Sequence, residues 1–152
     1  MPVISRRRTV PAAPERLWTV LADPEQLPTW WPRVERVEDA SRGAWTTVLS
    51  TPKGSGKTLR ADFTLVGSEH PRRLSWRQEL AESPFERIFA AAVTEVELEP
   101  AGPKGTDVKL TARIRLRGFA RFGGLQVTRA TKRQLTGALE GLTRLAESWK
   151  AA

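Results

Sequence analysis

The sequence of 152 residues contains no cysteine and no tyrosine, and it has a single histidine and a single methionine. The absence of cysteine excludes disulfide bonds, thiolate nucleophiles and zinc–thiolate sites, and it fits a protein of the reducing cytoplasm. His70 stands beside Pro71 in an expected turn, with no second histidine to share a metal and no adjacent serine or aspartate for a triad. We therefore interpret His70 as a solvated turn residue and expect no catalytic residue, no metal and no cofactor.

Long apolar runs are also missing from the sequence. No segment approaches the ~20 consecutive apolar residues that a membrane-spanning helix needs. The first ten residues, MPVISRRRTV, place basic residues after apolar ones and lack the apolar stretch of a secretory signal, so we expect them to form a strand. A chain of this length suits one domain, spanning residues 1–152.

Acidic residues are scarce in the last third of the chain. Residues 107–152 carry ten lysines and arginines against three acids, so they hold almost all of the net charge of +8. The cations of the expected last strand and of the segment after it form a predicted basic surface: Lys109, Arg113, Arg115, Arg117 and Arg121. Three interpretations stay open, namely a solvated face, a contact with anionic membranes, or nucleic acid. Nucleic acid has the least support, because outward aromatic residues are not interleaved with the arginines.

Hydrophobic periodicity predicts a sheet followed by one long helix. Apolar and polar residues alternate with the period of a strand over residues 3–10, 33–39, 44–50, 59–65, 74–80, 85–99 and 108–116. The middle of the segment 85–99 is apolar on both sides. This pattern indicates either a bulge or a strand that is buried on both faces of the sheet. From Leu135 to Trp149 apolar residues form one helical stripe, which Leu125 and Val127 extend. We expect sheet and helix to bury their apolar faces against each other.

The segment from Val10 to Glu38 separates the first two expected strands. Prolines end the first strand and suit the first turn of a helix, whose buried face consists of Leu17, Trp18 and Leu21. Asp23 and Pro24 end this helix and begin a second short one that carries Trp30 and Trp31. Two short helices are an unusual insertion between neighbouring strands of an antiparallel sheet.

This insertion carries a resemblance to a known family. In order it contains Pro14, Trp18, Leu21, Asp23, Trp30 and Pro32, and the turn His70-Pro71-Arg72-Arg73-Leu74 follows later. With these residues the chain resembles the START-like superfamily (SRPBCC), which includes the polyketide cyclases/dehydrases and has the helix-grip fold of the birch pollen allergen. The resemblance covers nearly the whole chain. It implies an α+β fold in which a curved antiparallel sheet of six to seven strands wraps around a long C-terminal helix.

In this superfamily the space between sheet and helix is commonly a pocket for hydrophobic ligands. The resemblance therefore implies a small hydrophobic partner, lipid- or polyketide-like, although periodicity alone does not distinguish a pocket from a solid core. Trp30 is expected near the entrance, with Gln78 and Thr94 as the polar groups of the wall. The full predicted lining is Trp30, Phe63, Trp76, Gln78, Ile88, Thr94, Leu110, Ala112, Ile114, Leu135 and Leu139.

Two other functions remain open from the sequence. A cyclase/dehydrase-type enzyme would need an acid or a base beside its substrate, and the predicted interior contains no His, Tyr, Cys, Asp or Glu. A surface-acting partner protein, working at anionic membranes for example, would use the basic surface instead. The sequence does not determine the oligomeric state.

Overall fold

The computed structural model describes residues 2–51, 56–118 and 123–150. Arg121 of the predicted basic surface lies outside these residues. The strands are β1 (Val3–Val10), β2 (Val34–Ser41), β3 (Ala44–Ser50), β4 (Thr58–Glu69), β5 (Arg73–Glu79), β6 (Phe89–Pro100) and β7 (Thr106–Leu116). The helices are α1 (Pro14–Leu21), α2 (Leu27–Trp30) and α3 (Gly124–Lys150). Short 3₁₀ turns occur at Pro24–Gln26 and Gly102–Lys104.

The seven strands form one curved antiparallel sheet in the order β1-β7-β6-β5-β4-β3-β2. The first strand pairs with the last, from Val3 opposite Arg113 to Val10 opposite Thr106. The long helix α3 packs against the concave face, while α1 and α2 fill the gap between β1 and β2. This is the helix-grip architecture that the sequence predicted.

Local sequence explains how α1 and α2 form. Pro14 occupies the first turn of α1, where its missing N–H is not needed, and Leu17 is fully buried on the inner side. Asp23 ends this segment, and its carboxylate accepts a hydrogen bond from the backbone N–H of Glu25 at 3.1 Å. The backbone of Trp30 in α2 then approaches α3 closely at Gly141. A Cβ atom at Gly141 would lie 2.3 Å from the Trp30 carbonyl oxygen, so this position requires glycine.

Two strand predictions need correction. The segment predicted from Phe85 to Glu99 becomes a strand only at Phe89, because turns form over the preceding residues, as in the 3.1 Å bond from the Ile88 N–H to the Phe85 carbonyl. Of the two alternatives for the apolar middle of this segment, the bulge is confirmed by a register shift between Phe89 and Ala91. In β4, the alternation over residues 59–65 predicts Leu65 on the inner side, but its side chain is 37% exposed beside a second register shift.

The predicted stripe of α3 is buried at Leu135, Leu139 and Leu142. Trp149 at its end is only half-buried, and the guanidinium of Arg16 lies 4.5 Å from the ring centroid. Within the described residues, no helix combines the length and apolar character required to cross a membrane.

Candidate functional site

A cavity of about 330 Å³ lies between the sheet and the N-terminal half of α3. Its wall is mainly apolar and includes residues from α2, β2–β7, the turn before β6, and α3. The lining residues are Leu27, Trp31, Val34, Trp45, Thr47, Leu49, Ala61, Phe63, Trp76, Gln78, Phe85, Ile88, Phe89, Ala92, Val93, Thr94, Ala112, Ile114, Val127, Ala130, Thr131 and Gln134.

The structure brings most of the predicted lining to this cavity. Residues on its wall are Phe63, Trp76, Gln78, Ile88, Thr94, Ala112 and Ile114. The other four, Trp30, Leu110, Leu135 and Leu139, are buried in the core and do not line the cavity. Trp30 is held against α3 at Gly141, and the three leucines fill the solid part of the helix–sheet interface, so their predicted positions on the wall were wrong.

The α3 residues of the wall were not assigned to it by the sequence analysis, although one of them, Val127, was placed on the apolar stripe. They are Val127, Ala130, Thr131 and Gln134, which precede the leucine-rich part of the stripe. Their spacing of three, one and three residues continues the helical period. The available signal was their size and polarity, because alanine and threonine are smaller than leucine, and threonine and glutamine are polar.

Aromatic rings form a continuous part of the wall. Trp45 and Phe63 stack with centroids 5.9 Å apart and an interplanar angle of 14°. Trp45 also meets Trp76 edge-on at 6.2 Å, and Trp76 meets Trp31 at 6.0 Å. Such rings offer a large apolar surface with few rotatable bonds.

Two hydrogen-bond donors in this wall have no partner among the residues that the structure describes. They are the Nε1 of Trp45 and the Nε2 of Gln78, and both are buried. By contrast, the hydroxyl of Thr47 donates to the Ala61 carbonyl oxygen at 3.3 Å. A buried unsatisfied donor typically costs about 1 to 3 kcal/mol, so an acceptor oxygen placed beside these groups would be stabilised.

Charged groups lie outside the cavity. No described residue of its wall carries an ionisable side chain, and the described part of the chain contains no cluster of three His, Cys, Asp or Glu residues that could hold a metal ion. Glu79 follows Gln78 in β5, but it accepts hydrogen bonds from Arg77 at 2.9 Å and Thr64 at 2.8 Å. The hydrogen bond from Arg77 is the main cause that lowers the pKa of Glu79.

The predicted basic surface is more mixed than its sequence suggested. Arg113, Arg115 and Arg117 are exposed, but Arg113 forms an ion pair with Glu95 of β6 at 2.8 Å. Lys109 is half-buried and stands opposite Glu97 in the register. The acidic side of β6 therefore lies beside the cations of β7, and the outer face of the sheet does not present a uniform positive field.

The rim of the cavity combines apolar and basic side chains. Ile88 lines the cavity and is 41% exposed, and Leu125 at the start of α3 is 65% exposed. Arg117 lies at the same end of the sheet, where its Nε donates to the carbonyl oxygen of Phe89 at 3.3 Å. Ala130 is exposed as well as part of the wall, so the cavity opens at this end.

Comparisons with known proteins agree with this architecture. A family model described as "Polyketide cyclase / dehydrase and lipid transport" matches residues 1–147. Among solved structures, a START superfamily protein from Mycobacterium smegmatis has a TM-score of 0.78 at 14% identity, covering 97% of this chain and 98% of that one. A protein from Deinococcus radiodurans has a TM-score of 0.65 at 24% identity, covering 94% and 95%.

Part of a two-domain protein is also similar in structure. The di-domain ARO/CYC StfQ from the steffimycin biosynthetic pathway has a TM-score of 0.73 at 13% identity, with 99% of this chain and 52% of that chain covered. At these identities the similarity concerns the fold alone. A search of curated protein sequences gave no significant match.

Proposed function

The chain belongs to the polyketide cyclase / dehydrase and lipid transport family, and we propose that it binds a small, neutral, hydrophobic molecule in the cavity between the sheet and the first half of α3. The carrying observation is an apolar space of about 330 Å³ with two buried donors that have no partner in the described part of the chain. Sites for small organic molecules combine an apolar wall with a few orienting polar groups in the same way.

The wall also indicates the chemistry of the ligand. An ionised ligand would lose its hydration without gaining a counter-charge, because no described wall residue is charged. An acceptor oxygen, such as a ketone or an ester carbonyl, would instead pair with Gln78 Nε2 or Trp45 Nε1. We therefore expect a neutral molecule with a planar apolar body and at least one carbonyl group.

A cyclase/dehydrase-type enzyme is the rival function within the same family. Such chemistry needs a group that takes up or releases a proton near neutral pH. The described wall offers amide, indole and hydroxyl groups, which can orient a carbonyl but do not titrate in that range. Binding, with carriage or sequestration of the ligand in the cytoplasm, is therefore the function that we propose.

Thermal unfolding with a matched pair of probes tests this proposal. Fluorenone, a neutral tricyclic ketone, and fluorene, its hydrocarbon counterpart, should both raise the melting temperature, because a ligand selective for the native state stabilises it by mass action. Fluorenone should raise it more, since only fluorenone carries an acceptor oxygen. Quenching of tryptophan fluorescence provides a second readout, because three tryptophans line the cavity.

The variant Ala112→Trp localises the binding. Ala112 is a small residue of the wall, and tryptophan at this position should fill the cavity, abolish probe binding and leave the fold intact. Thr136→Trp, at an exposed position of α3, is the matched control and should bind like the wild type. Equal binding by both variants, or no binding by the wild type, would contradict the proposal.

We further propose that the cavity rim touches anionic membranes, where a hydrophobic ligand would enter or leave. The favouring observation is that Ile88 and Leu125 are both exposed near Arg117. The Ile88 carbonyl accepts the backbone N–H of Arg117 at 2.9 Å, and Leu125 follows Gly124, where a Cβ atom would lie 3.7 Å from the Leu116 side chain. Cations near anionic lipid gain roughly 1 kcal/mol each. The surface of contact is therefore the rim and not the mixed-charge outer face of the sheet.

Liposome co-sedimentation at low salt tests this contact. Binding to anionic vesicles should exceed binding to neutral ones and weaken with salt, because the Debye length is ~10 Å near 0.1 M. Arg117→Ser should reduce binding, whereas Arg72→Ser, at the turn before β5, should not. Equal affinity for neutral and anionic vesicles would leave the solvated-face interpretation.

A further inference from the structure

A second, smaller cavity of about 140 Å³ lies behind the wall of the first. The two cavities share Leu27, Trp45 and Trp76, which form a partition between them. The remaining lining comes from the end of α1, the β2–β3 turn, β4 and β5: Leu21, Ala22, Pro24, Ser41, Gly43, Leu65 and Leu74.

Irregular backbone in β4 and the adjacent turn borders this second cavity. The register shifts between Leu65 and Gly67, so Val66 is an extra residue that bends the strand. The backbone N–H of Leu65 donates to the carbonyl of Gly43 at 2.7 Å, and Gly43 has a φ of 70°, which tightens the β2–β3 turn. Leu65, which lines this cavity, remains 37% exposed, so an apolar side chain borders the opening.

The lining determines what this cavity can accept. Ser41 supplies the one side-chain hydroxyl among its described lining residues, and none of them is charged. An apolar cavity of ~150 Å³ engineered in another protein stays dry and binds benzene or xenon. We propose that this cavity is a second binding site for a compact neutral apolar molecule or group, up to the size of a single ring.

The partition makes this site distinct from the first but adjacent to it. The Trp45 indole is held by ring contacts with Phe63 and Trp76, and its Nε1 makes no hydrogen bond to residues 2–51, 56–118 or 123–150. Molecules in the two cavities would contact the same partition residues, Leu27, Trp45 and Trp76. Methyl groups that border only one cavity can report on each site separately: Leu21, Leu65 and Leu74 for the second, and Val93, Ile114 and Val127 for the first.

Benzene titration followed by methyl NMR tests the second site. Saturable shifts are expected at the Leu21, Leu65 and Leu74 methyls, whatever happens at the first cavity. Ala22→Phe should lower the affinity for benzene that these shifts report at least tenfold, because Ala22 lines the second cavity. Ala22 is the C-cap of α1 and has a helical φ of −82°, so its backbone accepts a larger side chain. Thr19→Phe, at an exposed position of α1, is the matched control and should retain them.

The outcomes separate this inference from the main proposal. Shifts confined to Val93, Ile114 and Val127, or shifts at the second site that survive in Ala22→Phe, would overturn the inference alone. If the wild-type protein does not bind fluorenone but shows the benzene shifts at Leu21 and Leu74, the main proposal alone would be overturned. Should Ala22→Phe fail to fold, Leu65→Trp closes the same opening from β4 and has the same expected result.

Discussion

The two halves of α3 face the same sheet but make different interfaces with it. The C-terminal half presents a leucine-rich stripe that is almost completely buried: Leu135, Ala138, Leu139, Leu142 and Ala146. The N-terminal half borders the cavity with Val127, Ala130, Thr131 and Gln134. One amphipathic helix therefore builds a solid core at one end and borders a hollow site at the other.

The short helix α2 reinforces this difference. It packs on α3 where Gly141 allows the Trp30 carbonyl to approach, so the solid half is clamped from a second side. Trp31, the next residue, turns toward the cavity and contacts Trp76 there. Adjacent tryptophans thus serve the two regions separately, one as core and the other as cavity wall.

Removing volume from the solid half should have the largest effect on stability. Leu142 is fully buried, so Leu142→Ala should lower the free energy of unfolding by about 2 to 5 kcal/mol in urea melts. Leu125→Ala, on the same helix but at an exposed position, should change it by less than about 0.5 kcal/mol. Similar losses for both variants would mean that Leu142 is not packed more tightly than an exposed residue of the same helix, which would contradict a solid C-terminal half.

Adding volume should affect the two halves in opposite ways. Ala138 is completely buried, and Ala138→Leu should overpack the core and lower the free energy of unfolding by about 1 to 3 kcal/mol. Ala130→Leu places the same side chain at the cavity two turns earlier and should be neutral or stabilising. Comparable destabilisation in both variants, measured by urea unfolding, would show that the N-terminal half is also tightly packed.

The sequence was sufficient to predict the fold. Period-two alternation located the strands, and the stripe from Leu135 to Trp149 located the long helix. The sequence-based prediction failed where the structure depends on which side chains pack against a residue from other elements. The spacing of Leu135 and Leu139 showed which side of α3 is buried, but not that other core side chains fill the space in front of them.

The errors at the other positions have similar physical causes. The position of Trp30 depends on a close approach to Gly141, more than a hundred residues later, which no local pattern encodes. The late start of β6 depends on turns that bring Phe85 and Ile88 to the cavity. The unpartnered donors of Trp45 and Gln78 are features of three-dimensional packing, although Gln78 stood out in the sequence as a polar residue facing inward.

A change at Gln78 tests the chemistry of the hollow half alone. Gln78→Leu removes a buried donor without a partner, so the empty protein should keep or gain stability. Affinity for fluorenone should fall about two- to tenfold, the range expected for one hydrogen bond, while affinity for fluorene should stay the same. Isothermal titration would measure both, and an equal loss for the two probes would assign Gln78 a role in shape only.

The smallest expected effect concerns the outer face behind the hollow half. There Glu38 pairs with Arg36 at 2.8 Å and also with Arg60. In the register, Val48 stands between the two arginines, and its side chain is fully buried. We infer that the aliphatic parts of the two arginine side chains cover it. The hydrogen bonds from Arg36 and Arg60 lower the pKa of Glu38 below its ordinary value of 4.5.

This lowered pKa fixes the direction of a pH dependence. The carboxylate of Glu38 contributes stability above pH 4.5, and this contribution is lost as the pH falls through the lower pKa of the folded state. Wild type should therefore be slightly more stable than Glu38→Gln at pH 7, and the difference should disappear in acid. Glu35→Gln, at an exposed position of the same strand, controls for loss of a charge. A difference between wild type and Glu38→Gln that stays constant from pH 7 to pH 3 would mean that the arginines cover Val48 without stabilising the carboxylate, so that packing alone supports the sheet behind the cavity.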